Sequence, residues 1–486
     1  MILSQNYFLN IYYNNMSQEI GQSSMDFAQD LTEVPSVLRY SDILKVGSPL
    51  ADLQYHTLIP SNGNSYGPQQ QIRIPLNVPT DSFCNLKGAY IKFKVNNTTA
   101  SATGATTPGK IALDPFAGVG AIIDTWRIHS GTGALIEEIQ HYNAIYALMT
   151  SLTPPAHTQS SLNIMDGTSE AALTQQSTCG AGNAAVVDEA ARVSILRTKS
   201  KTFTHVPMSG LFQSDRLCPA GFASGTAYIE ITLPQAGTPF IADNDEASAV
   251  SWTISNVELH VPVLRMSPEF NNSFRGLLAS GLPISWHSSS FHNVQTNIAS
   301  GATGNTTLTM ATRKRSVKSV ITMFRKSTDT NDQKVDSVSA RKSLGISEYS
   351  YTCGGLKLPS KNIAIANTAD NVDLGEVYAN LVGCLSNIGN IYSSTAMNAD
   401  TFIVADETGV VASKVAYALD LESYGSSSVQ SGKNLANSGL PLVFEANLGT
   451  GSANMAASAD ILVDCFLLHD IVFSLSGIDG NITSNA

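Results

Sequence analysis

Charged residues are scarce in this sequence of 486 residues, since Asp, Glu, Lys and Arg make up only 14% of it. An average soluble protein contains about 25%, and disordered chains and coiled coils need more, so both classes are excluded. The net charge of -11, from 28 basic and 39 acidic residues, excludes a uniformly basic protein that coats nucleic acid. Polarity comes instead from Ser, Thr, Asn, Gln and 36 glycines, which predicts a neutral, hydrogen-bonding surface.

Paired cysteine motifs are also missing. The six cysteines are Cys84, Cys179, Cys218, Cys353, Cys384 and Cys465. No two of them form a C-x-x-C motif, which excludes a zinc knuckle or a thioredoxin-like redox site. We expect free, buried thiols, as in proteins of a reducing compartment.

The N-terminus lacks the features of a secretory signal peptide. Residues 1–15 are rich in Asn and aromatic residues, with neither a basic start nor a continuous apolar core. Met16 is an alternative translation start to Met1. The most apolar stretch, Ile461–Leu475, is interrupted by two aspartates and a histidine, so it is not expected to cross a membrane by itself.

Motifs for catalysis, cofactors and metals are missing as well: the sequence has no nucleophile elbow, zinc-protease motif, calcium loop or dinucleotide fingerprint. We interpret Glu137 and Glu138 as acidic residues in the first turn of a helix, where they complement its dipole. Asp243–Glu246 is predicted to be a solvated acidic loop. His287 and His292, five apart near a strand, are predicted to lie on opposite faces. We therefore expect a non-enzymatic protein with no catalytic residues, no cofactor and no metal.

Strand signals dominate what is present. Apolar and polar residues alternate in short segments, separated by long loops of Gly, Ser, Thr, Ala and Pro. The predicted strands of the first half are Gln71–Val78, Ala89–Val95, Ala121–His129, Ala191–Lys199, Ala227–Leu233 and Trp252–Leu264. Those of the second half are Leu282–Gln295, Thr306–Met310, Ser316–Phe324, Thr401–Ala405, Lys414–Leu421, Leu440–Leu448 and Ile461–Leu475.

One helix is predicted in each half, at Ala134–Leu152 and at Leu374–Ile388, from apolar residues spaced three and four apart. We therefore predict an all-β fold of two consecutive jelly-roll β-sandwiches, a double jelly roll, with one short helix inserted in each and long loops. The predicted division is an N-terminal arm (residues 1–46), a first jelly roll (47–266), a linker (267–281) and a second jelly roll (282–486).

Positive charge is concentrated in one segment, residues 313–342, which holds nine basic and three acidic residues. Its candidate basic patch is formed by Arg313, Lys314, Arg315, Lys318, Arg325 and Lys326. One interpretation is an inner or interface surface that faces nucleic acid or anionic lipid. The others are a solvated strand edge and a set of salt bridges between subunits.

A series of short strings follows in order along roughly residues 41–475. They are Ser48–Tyr55, Tyr66–Pro68, Ile72–Val78, Phe83–Phe93, Arg127–Gly131, Leu135–Asn143, Asn256–Leu259 and Arg315–Val320. In this order the sequence resembles the major capsid proteins of polinton-like viruses and related tailless double-stranded DNA viruses. None of the strings is a catalytic signature.

The resemblance implies a double jelly-roll protein that assembles with itself. Three copies would form a pseudo-hexagonal capsomer, and capsomers would build the icosahedral shell of a virion after synthesis inside the host cell. The implied partners are further copies, penton and minor capsid proteins, and an internal membrane or the genome, with no small-molecule substrate. The arm would contact neighbours or a membrane, and loops 96–109, 155–189 and 327–359 would form an outer tower or a clasp between subunits.

Three other functions stay open on the sequence. A minor capsid or penton protein is one, although two sandwiches favour the major protein. A receptor-binding or carbohydrate-binding β-sandwich is the second; it would favour secretion and clustered exposed aromatic residues, and the sequence has only three tryptophans. The third is a β-sandwich glycoside hydrolase, which needs two carboxylates that face each other across a cleft.

Overall fold

Alternating apolar and polar segments form the strands of two successive β-sandwiches. This computed structural model describes residues 51–100, 110–114, 116–152, 165–168, 195–242, 250–333, 337–339, 341–368, 370–387, 414–422, 431–436, 441–449, 456 and 459–485. The predicted strand Thr401–Ala405 and the acidic loop Asp243–Glu246 lie outside these residues.

The first sandwich contains strands β1 to β13. They are β1 Ala51–Leu58, β2 Ser65–Tyr66, β3 Gln71–Pro75, β4 Ser82–Cys84, β5 Tyr90–Asn97, β6 Lys110–Leu113, β7 Thr125–His129, β8 Leu135–Ile139, β9 Ile195–Leu196, β10 Ser200–His205, β11 Tyr228–Thr232, β12 Phe240–Ala242 and β13 Trp252–Met266. One sheet has the order β1-β13-β5-β10, with β2 and β4 also paired to β13. The facing sheet has the order β3-β11-β7-β8, and β12-β6-β9 form a small third sheet.

The second sandwich contains strands β14 to β24. They are β14 Ile284–Ile298, β15 Gly304–Met310, β16 Val317–Lys326, β17 Glu348–Cys353, β18 Leu356–Ala364, β19 Ala366–Asn367, β20 Val372–Asp373, β21 Tyr417–Asp420, β22 Leu442–Leu448, β23 Ile461–Leu475 and β24 Ile482–Asn485. One sheet has the order β14-β23-β16-β21, with β24 paired to β23, and the other has the order β15-β22-β17-β18. β19 and β20 form a separate two-stranded sheet.

The closing strand of each half lies in the middle of its sheet, with partners on both edges. β23 pairs with β14 along its whole length and with β16 on the other edge, and nearly all its residues are buried. Central strands covered on both faces appear in sequence as continuous apolar runs, as β23 does. β13 is equally long but contains a bulge between Ser255 and Glu258, where Asn256 adopts a φ of 51°.

Within the described residues, the helices differ from the prediction in number and position. They are α1 Tyr142–Leu152, α2 Gly210–Gln213, α3 Pro268–Ala279 and α4 Gly375–Asn387. The predicted helix Ala134–Leu152 is therefore wrong over its first part, because Leu135–Ile139 is strand β8, paired antiparallel to β7. Apolar residues at 136 and 139 fit helical spacing, but the Gly131–Gly133 turn before them closes a β-hairpin.

The segment predicted as a linker contains helix α3. Ser267 caps its N-terminus by accepting a hydrogen bond from the Phe270 amide, and Pro268 occupies the first turn. Both features favour helix initiation. None of the described helices is long and apolar enough to cross a membrane.

Candidate functional surfaces

The six residues of the candidate basic patch are divided between the surface and the interior. Arg313 and Arg315 are exposed, Lys314 and Lys326 are half-buried, and Lys318 and Arg325 are buried. The six side chains therefore do not form one surface. The physical reason is that β16 lies between β23 and β21 and is buried along almost its full length, so Lys318 and Arg325 pair with carboxylates inside the sandwich.

Arg325 forms a buried ion pair with Asp464 of the neighbouring strand β23. Its Nη2 and Nε atoms donate to Asp464 Oδ2 over 2.6 Å and 3.0 Å, and Asn293 donates to Oδ1 over 3.4 Å. Burial alone would raise the pKa of Asp464, but Arg325, His141 and Asn293 outweigh it and hold that pKa below its ordinary value. The carboxylate is thus kept ionised in the interior.

Lys318 forms the second buried ion pair. Its Nζ atom lies 2.9 Å from Asp470 Oδ1 and 3.8 Å from Glu422 Oε1. Ser316 Oγ also donates to Asp470 Oδ2 over 2.7 Å. These contacts join β16, β23 and the residues after β21, so Lys318 serves the packing of the second sandwich.

Glu137 lies at the contact between the two sandwiches, where only 3% of its surface is exposed. Its Oε1 accepts hydrogen bonds from the Gly210 amide and Ser290 Oγ, each over 2.5 Å, and its Oε2 accepts one from the Leu211 amide over 3.1 Å. Burial raises the pKa of Glu137, while these donors and the charge of Lys314 oppose the rise. The predicted position in a first helical turn is wrong, since Glu137 is in β8.

The side chain of Glu138 lies on the face of strand β8 opposite to that of Glu137. It accepts a hydrogen bond from Arg127 Nε over 2.7 Å, and Arg127 also contacts Glu230 over 3.3 Å. Successive side chains of a strand point to opposite faces, which separates the two adjacent carboxylates. Glu137 and Glu138 therefore form no acid–base pair.

The connection from β16 to β17 contacts the first sandwich of the same chain. We call residues 327–343 the crossing segment. Asn331 Oδ1 accepts from the Gly237 amide over 2.9 Å, and Ser339 Oγ donates to Asp114 Oδ2 over 2.9 Å. Val338 joins a small core cluster with residues of the first sandwich, and residues 52–486 form one compact unit.

The expected tower and clasp loops fall only partly within the described residues. Residues 101–109, 155–164 and 169–189 lie outside them. The third loop, 327–359, begins with the crossing segment and continues into β17 and β18. Its first part is therefore a contact within one chain.

Two elements, strand β1 and helix α3, each carry two of the exposed large apolar side chains. Among the described strands, β1 lies at an edge of its sheet and its residues are mostly exposed. Leu53 and Tyr55 are 52% and 76% exposed. Helix α3 exposes Phe270 and Leu277, each to 44%. The sequence analysis predicts neither element: Ala51–Leu58 is not among its strands, and Pro268–Ala279 falls in its linker.

The five described cysteines are free and buried, as expected. Cys84 and Cys218 lie opposite each other in an isolated β-bridge, and burial raises the pKa of the Cys84 thiol to about 12. Cys179 lies outside the described residues. Within the described part of the chain, no three His, Cys, Asp or Glu side chains come together as metal ligands.

Comparison with solved structures identifies capsid proteins of similar fold, whereas no protein-family profile and no curated protein matches the sequence. PBCV-1 VP54, fitted into a reconstruction of the virophage Sputnik, superposes with a TM-score of 0.57 at 9% identity, over 90% of this chain and 98% of that chain. The Faustovirus major capsid protein gives 0.53 at 9% identity, over 88% and 91%. A chain of the Sputnik virophage gives 0.53 at 12% identity, over 93% of both chains.

These similarities show the fold. The chain is a double jelly roll, which confirms the predicted all-β class. The match extends over nearly the whole length of this chain and of VP54, so it includes both sandwiches and their connection. At such low identity the likeness says nothing about individual surface residues.

Proposed function

We propose that this chain is a major capsid protein that builds an icosahedral virus shell as a trimer. The observation that carries the proposal is the double jelly roll itself, shared with PBCV-1 VP54 and the Faustovirus major capsid protein over about nine-tenths of the chain. Each copy contains two similar sandwiches, so three copies supply six similar blocks around one axis. Such a trimer has a pseudo-hexagonal outline, which suits close packing in a shell.

The exposed apolar edge of β1 supports contact between copies. A long edge strand with unpaired backbone groups favours pairing with another chain, and soluble proteins usually protect such edges. Here Leu53 and Tyr55 are exposed. Two exposed apolar side chains on one face of an edge strand support a contact there, and a low content of charge is typical of the core of interfaces between subunits.

We propose that Arg313 and Arg315 are the two residues of the candidate basic patch that contact a neighbouring copy. Both lie in the loop between β15 and β16 and are exposed, whereas Lys318 and Arg325 are engaged in ion pairs within the chain. The chain has an acidic balance overall. Two exposed arginines therefore favour contact with carboxylates of a neighbouring copy.

The remaining parts of the proposal concern organisation and location. We propose the division into an arm over residues 1–46, jelly rolls over 47–266 and 282–486, and a linker over 267–281, which contains helix α3. The place of action is the virion shell, after synthesis inside the host cell. The partners are further copies of the chain, penton and minor capsid proteins, and a membrane or the genome inside the shell. The role is structural and non-enzymatic.

Light scattering coupled to size-exclusion chromatography tests the proposal. A stable particle with three times the chain mass of 51.5 kDa is the expected result. A monomer that persists at micromolar concentration would contradict it. Assembly of purified trimers into shells, followed by sedimentation, separates a major capsid protein from a penton protein, which would give no shells alone.

A further inference from the structure

An apolar groove of about 570 Å³ runs between the two sandwiches beside helix α3. Its walls come from Phe83 and Leu264 of the first sandwich, Phe270 and Phe274 of α3, and Trp286 of the second sandwich. The Phe83 ring lies 5.1 Å from Phe274 and 6.0 Å from Phe270, centroid to centroid. Pockets that bind small apolar ligands have volumes of about 300–1,000 Å³ and linings of this kind.

The polar side chains that line the groove are few: Arg216, Ser285 and His287. Arg216 and His287 line it and are exposed, and Arg216 forms no ion pair with any described carboxylate. Trp286 also lines it, is only 6% exposed, and its buried Nε1 has no hydrogen-bond partner among the described residues. Because that atom has almost no accessible surface, a ligand in the groove would contact the Trp286 ring rather than this donor.

We propose that this groove binds a fatty acid. The apolar walls fit an acyl chain, since burial of each CH₂ group contributes about 0.8 kcal/mol. Arginine binds carboxylates with two parallel hydrogen bonds, and Arg216 is the cation available at the groove. The ligand class is thus an acyl chain with a single carboxylate, and this site is independent of the proposed shell function.

Titration of the full-length protein with sodium dodecanoate, below its micelle concentration, tests the site. Isothermal titration calorimetry should give saturable binding at one site per chain, and tryptophan fluorescence should change with the same midpoint. The fluorescence signal is assigned by Trp286→Phe, because neither Trp126 nor Trp252 lines the groove. In this variant the fluorescence change should disappear.

Two variants and a matched control make the test specific. Arg216→Ala should weaken dodecanoate binding about tenfold, as expected for loss of a charge-assisted hydrogen bond. Phe270→Ser should weaken it to a similar extent. Ile478→Ser, at an apolar side chain that is 83% exposed and does not line the groove, should bind as the unchanged protein does.

Three results would overturn the proposal. The first is unchanged dodecanoate affinity in both Arg216→Ala and Phe270→Ser. The second is binding to vesicles of phosphatidylcholine and phosphatidylglycerol without binding to dodecanoate, which would make the groove a bilayer contact. The third is a change of oligomeric mass in Phe270→Ser with dodecanoate affinity retained, which would make the groove a contact between copies.

Discussion

The buried pair Arg325–Asp464 should be a large contributor to the stability of the second sandwich. The pair joins the central strands β16 and β23, with side chains that are 4% and 0% exposed. Removal of one partner of a buried pair leaves an uncompensated charge and costs about 3–5 kcal/mol. We therefore expect Asp464→Asn to lower the free energy of unfolding by this amount, measured by urea denaturation.

The pair Lys87–Asp215 provides a matched control. It has a similar N–O distance of 2.5 Å, but its side chains are 49% and 79% exposed. Surface pairs contribute about 0–1 kcal/mol, so Asp215→Asn should have little effect. The double variant Arg325→Met with Asp464→Leu should recover most of the stability, because well-packed apolar residues often replace a buried ion pair without loss.

The stability that the Arg325–Asp464 pair contributes depends on pH in a definite direction. The folded pKa of Asp464 lies below its ordinary value of 3.8, so its contribution is present above that pH and is lost as pH falls below it. The difference between Asp464→Asn and the unchanged protein should thus be constant at neutral pH and shrink in strong acid. A loss of stability below about 0.5 kcal/mol in Asp464→Asn, as at a surface site, would refute the burial of this pair.

Four further predictions follow from other contacts. Glu137→Gln should lower the free energy of unfolding by about 1–3 kcal/mol, since two buried amides and Ser290 lose a carboxylate acceptor. Urea denaturation measures this, with Glu138→Gln as the control. Equal losses in the two variants would contradict the role of Glu137 as the buried acceptor. Gly120→Ala should lower the free energy of unfolding by about 1–3 kcal/mol, because its Cβ would lie 2.3 Å from Tyr146 Cδ1. Gly276→Ala, with open space around it, should not destabilise α3 and is the control. Equal unfolding free energies of the two variants would show that α1 shifts freely. Arg313→Glu with Arg315→Glu should change stability by less than about 0.5 kcal/mol but reduce shell assembly in sedimentation, and a normal yield of shells would leave these arginines without an assembly role. Tyr55→Lys should shift the mass in light scattering towards the monomer at unchanged thermal stability, and an unchanged trimer would exclude the β1 edge as a contact.

The fold could be predicted from the sequence where a strand is buried on both faces or where its apolar and polar residues alternate clearly. Ile461–Leu475 was predicted as a strand and has the same bounds in the structure. The assignment of Leu135–Ile139 to a helix is wrong, because apolar residues four apart, as at 135 and 139, fit both a helix and a strand. Only its pairing with β7, a tertiary contact, decides between them.

The candidate basic patch shows why surfaces are harder to predict than strands. The sequence places Lys318 and Arg325 close to Arg313 and Arg315, but the partners that bury them, Asp470 and Asp464, are about 140–150 residues away along the chain. In the sequence, a charged residue of a central strand cannot be told from one of an edge strand, because the order of the strands in the sheet is not visible there. The groove beside α3 was missed for the same reason, since its walls come from both sandwiches.

Negative-stain imaging of the purified protein tests the central claim most directly. If the chain is a shell-forming double jelly roll, class averages viewed along the particle axis should show a hexagonal outline built from three two-lobed copies. Single two-lobed particles at micromolar concentration, or rings with any number of copies other than three, would contradict the account.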